Sequence, residues 1–226
     1  MGTFIILLIV SFFIGSTPSG YLVGKYFGKD IRKEGSGNTG ATNTARALGK
    51  KAGLVTLAAD LVKGMLPSLI PVFYSVGQLK WSGSTGTTQV DLQACLGLAA
   101  ILGHCYSPFL FFKGGKGVAT TLGAFLVIAP IQAVLGLACF IVVVRQFRIV
   151  SLGSVLGVIL FVLLIMLDIP TAQGGLTKFA SMAMGLIVIS RHKANIYRIL
   201  EGTEPRFKIP EALTKKTEAP IESAKE

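Results

Sequence analysis

The chain of 226 residues is 51% hydrophobic and only 15% charged, and its mean hydropathy is +0.66. Water-soluble domains do not have this composition, and several apolar stretches approach or exceed the roughly 20 residues that a helix needs to cross a membrane. The formal charge of +11 would indicate a nucleic-acid partner in a soluble protein. In a membrane protein, the preference of lysine and arginine for the cytoplasmic side explains it. Composition therefore predicts an all-α polytopic membrane protein that binds no nucleic acid.

The apolar stretches predict seven transmembrane helices in chain order. The first begins at Thr3 and ends at Tyr26, with a kink where Pro18 and Gly20 interrupt it. Because no basic residues precede this stretch, we interpret it as an uncleaved membrane helix and not as a signal peptide. The fourth is short for a full crossing. In chain order, the second to seventh helices cover Leu54–Val76, Leu92–Tyr106, Gly117 to the residue before Pro130, Ile131–Val144, Leu152–Leu167 and Leu176–Ser190.

The distribution of basic residues predicts the orientation of these helices. With seven crossings, an exterior N-terminus and a cytoplasmic C-terminus, every basic cluster lies in the cytoplasm and only Lys80 and Lys178 lie outside. The polar stretch Gly77–Asp91 is then an exterior loop. Residues 1–208 form the membrane domain. We expect residues 209–226 to form a disordered cytoplasmic tail, because their composition offers too little apolar surface to fold.

Charged and sulfur-bearing residues inside the apolar segments have two interpretations each. Asp60 and Lys63 are three apart on the second helix, so they share a face and neutralise each other. They mark either a functional cavity or a structural pair. The cysteines are odd in number and show no metal-ligand spacing, which favours inert buried thiols. They are Cys95, Cys105 and Cys139.

The first unusual polar segment runs from Gly35 to Arg46 and contains no large hydrophobic residue. Its closely spaced glycines permit positive φ angles and close approach to a ligand. Successive backbone N–H groups in such a turn bind anions, and the guanidinium of Arg46 suits phosphate or carboxylate. Taken alone, a cluster of this composition is more often a flexible polar connector.

The second segment runs from Lys113 to Thr121, and Lys116 lies in it between glycines just before a predicted helix. Helix N-terminal N–H groups and the helix dipole favour an anion there. The segment is not a nucleotide-binding P-loop, because Leu110 replaces the first glycine and Gly117 replaces the hydroxyl residue that would hold magnesium. Alone, the two lysines are typical of interfacial side chains that extend toward water.

The third segment, Arg191–Arg198, carries His192 and Asn195 three residues apart on one helical face. The predicted topology places all three segments on the cytoplasmic side, so we expect them to share one site.

No metal-binding or glycosidase-like carboxylate pair accompanies them, and no serine-hydrolase motif is present. These absences predict no metal, no cofactor and a substrate that carries its own leaving group. An enzyme, a transporter of an organic phosphate and a structural subunit remain alternatives, although no internal repeat supports a transporter.

Together the three segments resemble a known family. They read Gly35-Ser-Gly-Asn-x-Gly-Ala-Thr-Asn-x-x-Arg46, Lys113-Gly-Gly-Lys-Gly-Val-Ala-Thr120 and Arg191-His-x-x-Asn-Ile-x-Arg198. They resemble the three motifs of the bacterial acyl-phosphate glycerol-3-phosphate acyltransferases. The resemblance spans about residues 5–207 and implies a seven-helix protein of the bacterial inner membrane with a cytoplasmic active site.

The resemblance also implies an activity and a set of site residues. The expected reaction transfers a fatty acyl group from acyl phosphate to the 1-hydroxyl of sn-glycerol-3-phosphate, giving lysophosphatidic acid and phosphate, without an obligate protein partner. The expected catalytic residues are Ser36, Arg46, Lys116, His192 and Asn195. The expected substrate-binding residues are Gly35, Gly37, Asn38, Gly40, Thr42, Asn43, Gly114, Gly115, Gly117, Thr120, Ser151 and Arg191.

Overall fold

A computed structural model describes residues 2–74, 88–170 and 173–206. Most of the predicted exterior loop (Gly77–Asp91) and the whole predicted tail (residues 209–226) lie outside the described residues, as does the end of the second predicted helix. The described residues are all helical, apart from turns and short connections, and contain no β-strand.

The helices follow the predicted segments closely. They are α1 (Gly2–Ser16), α2 (Ser19–Tyr26), α3 (Ala41–Leu48), α4 (Lys50–Leu69), α5 (Gln89–Cys105), α6 (Val118–Ile128), α7 (Pro130–Phe147), α8 (Val150–Met166), α9 (Gly175–Arg191) and α10 (Lys193–Leu200). Short 3₁₀ turns cover Ile31–Lys33, Ile70–Phe73 and Pro108–Leu110.

Three features differ from the sequence-based expectation. The kink expected at Pro18 is a full break between α1 and α2, because proline has no N–H to continue the helix. Helix α4 begins at Lys50, four residues before the expected start, since charged residues are tolerated in the first turn of a helix. The second half of the polar segment Gly35–Arg46, expected to be a loop, forms α3, which packs against α4.

Several helices are long and apolar enough to cross a membrane. Among the described residues, Gly2–Tyr26, Lys50–Phe73, Gln89–Leu110 and Pro130–Phe147 meet this criterion by length and composition. Helices α6 and α8 are apolar but shorter. These helices support an integral membrane protein, and the 11 residues of α6 fit the prediction that the fourth helix is short for a full crossing.

Helix α5 lies at the centre of the bundle, where α1, α4, α6 and α9 pack around it. Small residues bring the backbones together, as is common between membrane helices. A β-carbon at Gly15 or Gly103 would collide with backbone carbonyls across the α1–α5 contact. The α4–α6 contact depends in the same way on Gly64 and Gly123. This close packing holds the start of α6 firmly against its neighbours.

The buried carboxylate of Asp91 joins the starts of α5 and α9. It accepts hydrogen bonds from the backbone N–H (2.8 Å) and the hydroxyl (2.7 Å) of Thr177. It also completes a capping box with Thr88 at the start of α5. This network lies at the opposite end of α5 from His104, and the three polar segments gather around the His104 end.

Candidate active site

The side chain of Asn43 shapes the first polar segment. Its amide nitrogen donates to the backbone carbonyls of Glu34 and Asn38, both at 2.9 Å, and its oxygen accepts from the N–H of Ser36, also at 2.9 Å. Gly35 and Gly37 supply the positive φ angles of +54° and +70° that the turn requires. Asn43, which was predicted to bind substrate, therefore uses its side chain to hold the tip of this loop next to α3.

The second polar segment is fixed from two sides. The N–H groups of Gly114 and Gly115 donate to the carbonyls of Cys105 (3.2 Å) and His104 (3.0 Å) at the end of α5. The carbonyls of the same two glycines accept hydrogen bonds from Nη2 (2.7 Å) and Nε (3.1 Å) of Arg191. Arg191 was predicted to bind substrate, and the structure places its guanidinium on this loop.

Lys116 connects the second and third segments directly. Its Nζ donates a 2.5 Å hydrogen bond to Oδ1 of Asn195, which is buried on α10. Gly117 follows with φ of +82° and is the N-cap of α6, so the lysine lies just before the N-terminus of that helix. Two residues predicted to be catalytic, 79 positions apart in the chain, therefore meet in one place.

Glu204 lies beside this pair and was not among the predicted site residues. Its Oε1 accepts hydrogen bonds from Asn195 (2.6 Å) and Ser151 (2.7 Å). Its Oε2 accepts from Nε of Arg198 at 2.8 Å. The only sequence signal for this role was a carboxylate close behind a basic cluster, and most such residues are solvated surface charges.

Positive charge concentrates around Lys116. Burial lowers the pKa of Lys116 to about 8; Glu204 opposes this shift, and the charges of Arg198, Arg46 and Arg191 add to it. Burial tends to raise the pKa of Glu204, but its hydrogen bonds with Ser151, Asn195 and Arg198 hold it below its usual range. The site therefore combines one carboxylate with several cations, and the excess of positive charge suits an anionic ligand.

His192 is buried at the junction of α9 and α10 and is neutral at physiological pH. Burial lowers its pKa to about 4, against the opposing effect of its hydrogen bond to the Val188 carbonyl. Its Nδ1 lies 2.8 Å from that carbonyl, which can only accept, so Nδ1 carries the proton. The other nitrogen, Nε2, is therefore a hydrogen-bond acceptor.

Four further predicted residues lie in three different surroundings. Ser36 and Arg46 are exposed on the loop tip and on α3, and the charge of Arg46 is near enough to lower the pKa of Lys116. Asn38 is used within its own loop, since its side chain accepts from Gly40 N–H at 2.8 Å. Thr120 is fully buried, its backbone carbonyl lies against Gly64 in the α4–α6 contact, and its hydroxyl makes no hydrogen bond among the described residues.

Comparison with known proteins identifies the family to which the chain belongs. The family model of glycerol-3-phosphate acyltransferase matches residues 5–202. The chain belongs to the glycerol-3-phosphate acyltransferase family. It is 42% identical to a protein of that name from Trichlorobacter lovleyi over 88% of this chain and 94% of the relative. It is 41% identical to another from Geobacter sulfurreducens over 90% of this chain and 97% of the relative.

Solved structures of a family member agree with the fold. The crystal structure of PlsY (YgiH), an integral membrane glycerol 3-phosphate acyltransferase, in its glycerol 3-phosphate form superposes with a TM-score of 0.82 at 35% identity, covering 93% of this chain and 98% of that one. The lysophosphatidic acid form gives a TM-score of 0.80 at 34% identity, over 94% and 99%. The resemblance drawn from the three motifs is thereby confirmed. The chain is a membrane acyltransferase of phospholipid synthesis, and the transporter and structural-subunit alternatives are not supported.

Proposed function

We propose that this acyltransferase uses acyl phosphate as its donor and transfers the acyl group to the 1-hydroxyl of sn-glycerol-3-phosphate. The observation that carries the proposal is the Lys116–Asn195 hydrogen bond, which joins two motif segments amid the charges of Arg46, Arg191 and Arg198. Both reactants carry a phosphate group, and clustered cations with loop N–H groups are the groups that bind phosphate.

In this scheme, glycerol-3-phosphate binds beside the cationic side chains of the site. Lys116 and Arg46 neutralise its phosphate, and Ser36 and Asn195 add hydrogen bonds. Ser151 and the second polar segment (Lys113–Thr121) face the acyl phosphate. The acyl chain remains among the apolar helices, which explains why the enzyme is built into a membrane.

Because His192 is neutral, we assign it the role of orienting the substrate hydroxyl. Its Nε2 accepts a hydrogen bond from the substrate hydroxyl, but a group with a pKa of about 4 is a weak base at neutral pH. A phosphate oxygen of the substrate or of the leaving group therefore takes the hydroxyl proton. The hydroxyl oxygen attacks the acyl carbon, the bond to the phosphate oxygen breaks, and inorganic phosphate leaves. An acyl phosphate is already activated, so alignment of the reactants supplies much of the acceleration, up to about 7–11 kcal/mol.

We further propose seven crossings, an exterior N-terminus and an active site on the cytoplasmic face of the bacterial inner membrane. Four long apolar helices and the shorter α6, α8 and α9 supply enough segments. The basic residues around the site fit the cytoplasmic side by the positive-inside rule.

Purified protein incubated with donor and glycerol-3-phosphate tests the proposal. We expect phosphate release and lysophosphatidic acid only when acyl phosphate and glycerol-3-phosphate are both present, and no transfer from acyl-CoA or acylated carrier protein. Equal transfer from acyl-CoA would contradict the assignment of the donor. Hydrolysis of acyl phosphate without acceptor would contradict the assignment of the acceptor site.

A further inference from the structure

A cluster of buried charged groups lies behind the phosphate-binding loops and takes no part in the scheme above. Asp60 and Lys63 on α4 are 2% and 6% exposed, and His104 at the end of α5 is 7% exposed. Lys63 Nζ lies 2.8 Å from Asp60 Oδ1, and His104 Nδ1 lies 3.6 Å from the same oxygen. Burying three ionisable groups inside a helical bundle costs free energy unless the groups interact favourably with one another.

The lysine of this cluster holds the break between α1 and α2. Its Nζ donates to the backbone carbonyl of Thr17 at 2.8 Å and lies 3.4 Å from the hydroxyl of Ser19. The first residues of α2 in turn contact the first polar segment, since a β-carbon at Gly20 would collide with the carbonyl of Thr39. Lys63 is therefore connected to the Gly35–Arg46 segment through one turn of helix.

The histidine of the cluster supports the second polar segment. There is no room for a β-carbon at Gly115, because it would collide with Nε2 of His104. The Gly115 N–H also donates to the His104 carbonyl at 3.0 Å. The imidazole ring thus lies directly beneath the loop that carries Lys116.

The space between these groups is small and polar. His104 Nδ1 makes no hydrogen bond among the described residues, and Asp60 Oδ1 makes no well-directed one. Asp60 and His104 both line a cavity of about 10 Å³, together with Thr39, Ser107 and Gly115. Such a space accommodates about one water molecule, and a water there would hydrogen-bond to both His104 Nδ1 and Asp60 Oδ1.

We propose that Asp60, Lys63 and His104 are positioning residues that set the distance between the first and second phosphate-binding loops. Lys63 fixes the α1–α2 break beneath Thr39, and Asp60 orients the His104 ring beneath Gly115. The inference rests on the proposed use of these loops to bind glycerol-3-phosphate. The alternative is a structural ion pair that stabilises α4 and has no influence on the site.

A double substitution separates these two roles. Asp60→Leu with Lys63→Met removes both charges while keeping the side chains similar in size, and such replacements of buried ion pairs are often neutral for stability. His104→Gln is the second, milder variant, and it keeps a polar atom near Gly115 while removing the ring that faces Asp60. Asp91→Asn is the matched control, because Asp91 is equally buried on the same helix as His104, at its far end.

The measurements are the dissociation constant for glycerol-3-phosphate by calorimetry, the melting temperature, and hydrogen exchange of residues 113–118. We expect about tenfold weaker binding and faster exchange in the double variant and in His104→Gln, because displaced loops lose the alignment of their phosphate contacts. Asp91→Asn should lower the melting temperature and leave binding and loop exchange unchanged.

Wild-type affinity and loop exchange in the double variant would overturn the inference, as would equal effects in Asp91→Asn. Absence of binding by the wild-type protein would instead contradict the proposed function, and the loop exchange would still test the cluster.

Discussion

The Lys116 ammonium is the group on which the proposed chemistry most depends. It reaches Asn195 at 2.5 Å, is half-buried, and lies at the start of α6. Lys113 is only three residues away but is exposed, so it carries a similar charge in a solvated place. The two lysines form a natural pair for separating specific contact from general electrostatic attraction.

Lys116→Met should reduce kcat/KM for acyl transfer by about 10²–10³-fold, the usual effect of removing one charge-stabilising donor. The melting temperature should stay within a few degrees of wild type, because Met fills the same space. Lys113→Met should change kcat/KM less than about threefold, since a solvated charge contributes little. Robust turnover by Lys116→Met in a reconstituted assay would refute the role of this residue.

The pKa of about 8 for Lys116 predicts the alkaline limb of the pH profile. The ammonium is charged below this pKa and neutral above it, so kcat/KM should fall as pH rises through about 8 if the charged form binds phosphate. Lys116→Arg should have lower activity but no such limb, because arginine stays charged. An alkaline limb that persists in Lys116→Arg would assign the titration to another group.

Glu204 should shift that limb, since its charge raises the pKa of Lys116. Glu204→Gln removes this effect, and we expect the limb to move to lower pH. The variant should also be less stable, by about 1–2 kcal/mol, because its charge-assisted hydrogen bond with the partly exposed Arg198 is lost. An unchanged or higher limb would show that Glu204 does not act on Lys116.

At the scale of single elements, the apolar runs predicted most helix positions, because long hydrophobic stretches in a membrane protein have few alternatives to a helix. Helix α3 was missed because its residues as far as Arg46 include no large hydrophobic residue, and it forms because it packs on α4. The motif residues were predicted, but their separate tasks were not. The amide of Asn43 is used inside its own loop, which depends on the exact course of that turn, and Arg191 binds loop carbonyls 76 and 77 residues away in sequence.

The α4–α6 contact should tolerate no side chain at Gly64. A β-carbon there would collide with the backbone of Thr120 in the first turn of α6. Gly64→Ala should therefore lower stability by about 1–3 kcal/mol and weaken glycerol-3-phosphate binding, since Lys116 lies just before that turn.

Gly175→Ala is the control for this substitution, because nothing lies within 4 Å of a β-carbon at that position in α9. Its melting temperature should equal or exceed that of wild type. A melting temperature for Gly64→Ala that matches Gly175→Ala would show that the two helices can move apart at little cost.

For the whole molecule, the bundle places the three motif segments at one end and the Asp91 network at the other. A membrane-impermeant maleimide tests how this axis lies in the bilayer. Lys193→Cys, next to the site, should react only from the cytoplasmic side, and Gly175→Cys, at the other end of α9, only from outside. Labelling of both positions from one side would refute the proposed topology.

The central claim is that three distant segments hold two phosphate-bearing reactants against each other. A crystal structure with glycerol-3-phosphate and a non-hydrolysable acyl phosphonate measures this most directly. The account predicts the glycerol phosphate within hydrogen-bonding distance of Arg46, Lys116 and Asn195, with the 1-hydroxyl next to His192 and facing the acyl carbon. Reactants bound at separate places, or a phosphate that contacts only one of the three segments, would contradict it.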